Sequence, residues 1–428
     1  MSFSGHSAIL LRSGELLTAG RNDSAGGGGR GSPPIDDSGQ LGRNGDVNRA
    51  LPVEMPGNIK VIATSCGRYH TIALAASGEI FTFGLNDRGQ LGRLGMLGST
   101  DRPCGCDSGG NCECSDDFTS RKENTKQGNS CIGGSTCRSG LAAKVPFNRI
   151  KSSIKTIKNC GEGVECQVNM RAIAVAAGRY SSATIFEDGT LVAWGLIACG
   201  ASKMNENGDE EDIRHVLLYE PKFASYPREI HLIPPLKNGV KLTDVAIGYV
   251  HLVALASDGS VYTCATGFDG YAGIVQQKKD LDFGLGRKIN SLEEALHLKR
   301  VPFDDPSYNV SEISAGRCHV LVRDKKGIVY SWGCARKALG RSDGEQEVPS
   351  RVKNGIEREK IRSIASGEYF SLASSRSGKI YGWGSSSNGQ LGQILTKDTE
   401  KPELIEGIQG KVLRVSAGYQ HAGAIVEI

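Results

Sequence analysis

Apolar and polar residues alternate along this chain in runs of about six, and the runs come in pairs around a glycine. In the segment Arg68–Gly92, Thr71, Ala73 and Ala75 alternate with Ile72 and Leu74. Ser77-Gly78 interrupts, and then Ile80 and Thr82 alternate with Phe81 and Phe83. Period-two patterning on both sides of a Gly turn predicts a β-hairpin. The same hairpin recurs around Ser13-Gly14, Asp188-Gly189, Asp258-Gly259, Lys326-Gly327 and Ser377-Gly378. A short β run precedes each of six hairpin starts: Val61–Thr64, Ile173–Ala176, Leu242–Ala246, Val310–Ser314, Ile361–Ala365 and Val412–Ser416. Pro52-Val53, Pro349–Val352 and Pro402–Ile405 predict a fourth strand behind the hairpin. Four short strands per unit describe a propeller blade.

The units keep a fixed metre. Gly67–His70–Gly78–Gly84, Gly178–Ser181–Gly189–Gly195, Gly248–His251–Gly259–Ala265, Gly316–His319–Gly327–Gly333 and Gly367–Phe370–Gly378–Gly384 share all three intervals. His6–Gly14–Gly20 keeps the last two, and Gly418–His421 opens a further copy. Such self-similarity signals a repeat architecture, in which each unit packs mainly on its neighbours. His319 to Phe370 and Phe370 to His421 each span 51 residues, the length of one blade.

Segments 66–92 (CGRYHTIALAASGEIFTFGLNDRGQLG), 315–340 (AGRCHVLVRDKKGIVYSWGCARKALG) and 366–392 (SGEYFSLASSRSGKIYGWGSSSNGQLG) resemble repeats of the regulator of chromosome condensation family. The resemblance covers nearly all of the chain outside its inserts. It implies an all-β fold: one β-propeller over residues 1–428, of seven blades with about four strands each. Seven slots of the Gly-x-x-His type are present if His6 is included, but six carry the second hairpin strand. The last blade is therefore either completed by N-terminal residues or incomplete, and a six-bladed ring stays open.

Composition adds little beyond this. Hydrophobic residues make up 39% of the chain and suit a folded protein, and the 57 glycines are explained by turns at a regular beat. The net charge of +4 permits contact with nucleic acid or acidic proteins without requiring it. No apolar run approaches the roughly 20 residues of a membrane span. Ala8–Leu11 is too short for a secretion signal, so an intracellular protein without a membrane partner is expected. Its 13 cysteines are then expected to be mostly thiols.

His6, His70, His251, His319 and His421 tempt a metal or acid–base reading. One per unit at the same position places them on separate strands around a ring, and Ser181 and Phe370 fill the slot without titrating. They are read as structural, because a metal needs convergent ligands. Phe83, Trp194, Trp332 and Trp383 are read as packing between blades. Gly39–Gly42, Gly89–Gly92 and Gly389–Gly392 (Gly-Gln-Leu-Gly) are read as tight loops. No Lys-Ser/Thr follows them to make a phosphate cradle.

The slot intervals of 64, 111, 70, 68, 51 and 51 residues locate inserts at 93–170, 204–236 and 273–306. Binding commonly resides in such excursions. The first insert carries Cys104, Cys106, Cys112 and Cys114 as C-x-C-x5-C-x-C. Zinc on these thiolates, disulfides and unpartnered thiols are the three alternatives. No other cofactor is called for. Cys66, Cys199, Cys264, Cys318 and Cys334 read as small buried residues. The same insert is basic, with Lys144, Arg149, Lys151, Lys155 and Lys158, and Ile150, Ile154 and Ile157 fall at helical spacing. It is either a contact for DNA phosphates or an acidic protein, or a solvated loop. The second smaller insert holds a capping-box pattern, Ser291 and Glu294, that predicts a short helix.

No nucleophile elbow, paired-carboxylate motif or zinc-hydrolase His pair is present, and no small-molecule substrate is expected. Three functions follow from the resemblance. The first is a non-enzymatic scaffold, regulatory and chromatin-associated, with histones among its partners. The alternative is guanine nucleotide exchange on a Ran-like small GTPase. Ultraviolet sensing, for which relatives carry Gly-Trp-Arg-His, is set aside: the slots here read Gly-Arg-Tyr-His (67–70), Gly-Arg-Tyr-Ser (178–181) and Gly-Glu-Tyr-Phe (367–370). The resemblance and the basic insert together place the chain in the nucleus rather than the cytoplasm.

Overall fold

A computed structural model of the chain describes residues 2–3, 5–20, 39–43, 46–86, 89–92, 105–106, 112–113, 138–145, 147, 171–199, 223–230, 239–266, 284–290, 292–353, 355–392 and 397–428. Within them the fold is an all-β propeller. Six sheets have four strands, and the last sheet, Lys411–Ala417 with Ala422–Glu427, has two among the described residues. Every sheet is a meander of antiparallel neighbours. The third shows the plan: Ala172–Ala177, Ser181–Phe186, Leu191–Leu196 and Phe223–Ile230 pair in chain order. The first strand of each sheet lies towards the ring axis. In the second to sixth sheets these are Val61–Cys66, Ala172–Ala177, Leu242–Ile247, Val310–Ala315 and Ile361–Ser366, at the places the alternation predicts.

The inserts expected at 93–170, 204–236 and 273–306 each contain the fourth strand of a sheet. Arg138–Lys144 pairs with Ile80–Leu85, Phe223–Ile230 with Leu191–Leu196, and Lys299–Arg300 with Val261–Ala265. The short helix expected near 291 is a 3-10 turn, Leu292–Leu296. There the Glu294 carboxylate accepts the Asn290 N–H at 2.9 Å, one residue upstream of the expected cap.

Middle strands such as His70–Ala75 and Ile80–Leu85 are buried on both faces, because each sheet is sandwiched between two others. The apolar clusters accordingly straddle neighbouring sheets. Ile72, Leu74 and Ile80 of the second pack with Phe186, Val192 and Trp194 of the third. The recurring aromatics are fully buried, as expected. Trp194 Nε1 donates to the Gln90 carbonyl (2.9 Å) and Trp383 Nε1 to the Ala338 carbonyl (2.8 Å), each tying a sheet to the outer turn of the one before it. Gly92 exists to seat the first of these rings: a Cβ there would lie 2.7 Å from Trp194 Nε1.

The histidine slots form a second set of ties. His6 Nε2 lies 2.7 Å from Thr71 Oγ1, His70 Nε2 2.8 Å from Ser182 Oγ, and His319 Nε2 3.1 Å from Ser371 Oγ. In each case the hydroxyl belongs to the next sheet, one residue after that sheet's own slot. Each hydroxyl also donates to a carbonyl of the preceding turn, Gln40, Gln90 and Ala338 respectively. Having given its proton away, the hydroxyl can only accept from the imidazole, which fixes a neutral ring protonated at Nε2. Burial drives the same outcome and lowers the pKa of His6, His70 and His251 to about 3 and that of His319 to about 4. Ser7 Oγ, 3.4 Å from His421 Nε2, joins the last sheet to the first.

Where the slot holds no histidine, the next sheet offers no hydroxyl: Ser181 faces Leu252, and Phe370 faces Ala422, at the equivalent positions. His251 is the exception. Its counterpart is Val320, and neither of its buried ring nitrogens has a hydrogen bond of acceptable geometry. The slot histidines are therefore structural, as their spacing predicts.

Candidate functional site

The glycine that opens each unit turns the chain at the axis, and it is glycine for want of space. A Cβ on Gly67 would collide with His70 Cε1 and with the Gly178 carbonyl oxygen. The tight corner throws the following residue onto the axis. Backbone bonds link successive corners: Arg68 N–H to Gly178 O, Tyr249 N–H to Arg317 O, Arg317 N–H to Glu368 O and Glu368 N–H to Tyr419 O, at 3.1 to 3.4 Å. A well of about 200 Å³ opens inside this girdle, lined by Arg68, Arg179, Tyr249, Arg317, Glu368 and Tyr419 and by the ends of the innermost strands.

Each guanidinium in the well lies against two phenol rings. Arg68 is 5.0 Å from the Tyr69 centroid and 5.3 Å from that of Tyr419. Arg179 is 5.1 Å from Tyr180 and 5.4 Å from Tyr249, and Arg317 is 4.9 Å from Tyr369 and 5.7 Å from Tyr249. Such contacts hold the guanidinium planes in place. Tyr249 and Tyr419 reach towards each other and stack at 5.9 Å.

Among the described residues Glu368 is the one acid in the lining, buried and bonded to Arg317 Nη1 at 2.7 Å. The Tyr419 hydroxyl also donates to it. Burial raises the Tyr249 phenol well above its ordinary pKa, so it stays a neutral donor; its hydroxyl is buried with no hydrogen-bond partner. Towards the starts of the same innermost strands the character changes. Glu312 pairs with Arg323 at 2.8 Å, and burial with Glu312 nearby raises the Asp244 carboxyl to about 6.

The residues singled out from the sequence lie elsewhere. Lys144 is exposed on the outermost strand of the second sheet and pairs with Glu79. Arg149, Lys151, Lys155 and Lys158 lie outside the described residues, as do Cys104 and Cys114. Gly105–Cys106 and Cys112–Glu113 form a small antiparallel pair with Cys106 opposite Cys112, so the two halves of the cysteine run are brought together. Among the described residues no group of three metal-ligating side chains converges.

Two further cysteine pairs correct the sequence reading. Cys199 and Cys264 form a disulfide between the third and fourth sheets, with Cα atoms 5.6 Å apart. Cys318 and Cys334 form another across the neck of one hairpin, at 5.5 Å. The sequence reading makes all four small buried thiols. Cys199, Cys264 and Cys318 are buried as expected and Cys334 is partly buried, but adjacent strand ends bring each pair within bonding geometry. The arginine–tyrosine well does not emerge from the sequence reading, although its signal is the pair of residues between Gly and the slot: Arg-Tyr, Arg-Tyr, Tyr-Val, Arg-Cys, Glu-Tyr and Tyr-Gln.

Residues 31–427 match the family model described as RCC1-like domain. The chain is 28% identical to the Regulator of chromosome condensation of Xenopus laevis over 409 residues, covering 91% of this chain and 88% of that protein. It is 26% identical to the E3 ubiquitin-protein ligase HERC2 of Homo sapiens, covering 60% of this chain and 6% of that protein. The crystal structure of human WBSCR16 matches with a TM-score of 0.64 and 16% identity, covering 99% of this chain and 86% of that one, and shows the same fold.

Proposed function

The chain belongs to the RCC1-like domain family, and on that premise we propose that it is a non-enzymatic interaction scaffold that regulates a protein partner. One observation carries this reading. The repeated polar residues are engaged inside the ring, in pairs such as His70–Ser182, whereas the non-repeating Arg68, Arg179, Arg317, Tyr249 and Tyr419 are gathered at the axis. A rigid ring that presents irregular chemistry at one place is suited to recognition. Its likeness to a Regulator of chromosome condensation over most of both chains supports a nuclear role in contact with chromatin.

Affinity capture with the full chain from cell extract, with and without nucleotide removal, tests the reading. Recovery of histones or of a signalling protein supports it. Selective recovery of a nucleotide-free small GTPase replaces it with guanine nucleotide exchange. Chromatin contact is assigned to the basic stretch Lys144–Lys158: reversing the charge of Lys151, Lys155 and Lys158 should reduce DNA retention and flatten its salt dependence. Zinc on Cys104, Cys106, Cys112 and Cys114 would order the hairpin that pairs Cys106 with Cys112. About one zinc per purified chain is the expected content, and metal-free protein rejects the site.

A further inference from the structure

We infer that the last sheet receives an extended segment of a partner protein, laid along its outer edge as a third strand and carrying an aromatic residue followed by glycine. The inference rests on the scaffold reading and names how the partner is held.

In the six four-stranded sheets a third strand covers the second, and second strands such as His70–Ala75, Ser181–Phe186 and Phe370–Ser375 are buried throughout. Among the described residues Ala422–Glu427, the second strand of the last sheet, pairs only with Lys411–Ala417, and Ala422, Ile425 and Glu427 are exposed along it. Its outer edge presents backbone donors and acceptors to which an extended chain can add. A cavity of about 330 Å³ adjoins this edge, lined by Leu372, Leu391, Gly392, Ile405, Ile408 and Ala422 among others. The other sheets define what fits there. A Cβ on Gly42, Gly92, Gly286 or Gly340 would lie 2.5 to 2.7 Å from the ring of Phe83, Trp194, Trp332 or Trp383, each on the third strand of the next sheet. Gly392 ends the corresponding turn of the sixth sheet, but the atom a Cβ would meet there is Ile405 Cγ2, at 3.5 Å. The cavity beside Gly392 therefore matches an aromatic side chain of a third strand. Gln390 supplies the carbonyl that Gln90 and Ala338 offer to Trp194 and Trp383. Register sets the glycine. Gly84 and Gly384 follow their rings and pair with His70 and Phe370, and a Cβ on either would lie 2.6 Å from the partner's Cα. His421 holds that slot in the last sheet, so the guest residue opposite it is glycine, and the aromatic before it falls opposite Ala422, beside the cavity.

The test uses the full chain and fluorescence polarisation with a labelled peptide copying residues 376–387, which contain the third strand Ile380–Gly384. Saturable binding is expected. Trp383→Ala in the peptide should weaken it about thirtyfold, and Gly384→Val in the peptide should abolish it. On the chain, Ile408→Asp changes an exposed residue of the cavity wall and should weaken binding about tenfold. A melting curve establishes that the variant is folded. Should it not fold, the native chain still decides by hydrogen–deuterium exchange. Residues 422–427 should exchange faster than 370–375 in the free chain and slow when the peptide is bound. Protection of 422–427 already equal to that of 370–375 in the free chain means that the edge is covered by the chain itself and overturns the inference. A dimer in size-exclusion chromatography that the peptide does not split assigns the edge to a second copy and also overturns it. So does binding indifferent to the tryptophan and glycine changes, or protection confined to other strands. A captured partner retained equally in excess peptide leaves the scaffold standing and removes this site alone.

Discussion

Replacing Val320 with threonine should stabilise the protein, although it puts a hydroxyl into a fully buried position. Val320 occupies the place that Thr71, Ser182 and Ser371 hold in their sheets, and the histidine it faces, His251, has no hydrogen bond of acceptable geometry on either ring nitrogen. The acceptor for the new hydroxyl is also present. Trp194 and Ser182 share the Gln90 carbonyl, and Trp383 and Ser371 share that of Ala338. Trp332 Nε1 reaches the Gly284 carbonyl at 3.4 Å, which leaves that oxygen for the introduced threonine to share. Threonine and valine have nearly the same shape, so no cavity opens. An unsatisfied buried donor costs about 1–3 kcal/mol, and burying a fully bonded hydroxyl recovers part of it, for a net gain of about 1 kcal/mol. A buried hydroxyl without partners would instead cost about 1–3 kcal/mol. The sign of the change therefore discriminates. Equilibrium urea unfolding should show a higher midpoint at constant slope. Val322→Thr, on the same strand and equally buried, is the control and should lose stability. If Val320→Thr loses as much as the control, the pairing rule between neighbouring sheets is wrong.

Gly67→Ala should cost about 3 kcal/mol or more in the same assay, because its Cβ meets the His70 ring and a carbonyl oxygen. Gly57→Ala, at φ 71° but in open space, should cost only about 1–2 kcal/mol. Acid should weaken the ring. The folded state keeps His6, His70 and His251 neutral down to about pH 3, while the unfolded chain takes up protons from about 6.5. That stability is complete above the unfolded value and falls by about 1.4 kcal/mol per pH unit per histidine as pH drops towards the folded value. Urea midpoints that stay flat between pH 7 and 4 would contradict this. Peptide mapping without reductant should recover Cys199 linked to Cys264, and reduction should cost about 2–4 kcal/mol; alkylation of both thiols in unreduced protein would refute the pair.

Much of the ring is legible because its glycines are steric necessities. Gly67 must clear His70, and Gly92 must clear Trp194, so the metre survives in the sequence whatever else changes. The hydroxyls are not legible. Whether Ser182 or Val320 matters depends on a residue of the previous sheet, and alternation along one strand says nothing about that. The outer strands Arg138–Lys144 and Phe223–Ile230 are hidden in stretches whose length and composition read as loops. Cys264 reads as a small apolar residue because its partner, Cys199, lies 65 positions away. The axial well escapes for another reason. In the sequence its arginines and tyrosines stand out only as departures from a tryptophan pattern, and their convergence needs the corners that the girdle of backbone bonds creates.

The histidine–hydroxyl ties also limit how such a chain can be shortened or rearranged. Each unit carries the key to its successor and the lock for its predecessor, so units are not interchangeable pieces. Excising the third unit would set His70 against Leu252, a mismatch, whereas excising the fifth would set His251 against Ser371 and mend the one faulty joint. Gain and loss of repeats in such a ring is thus filtered by grammar at the seams.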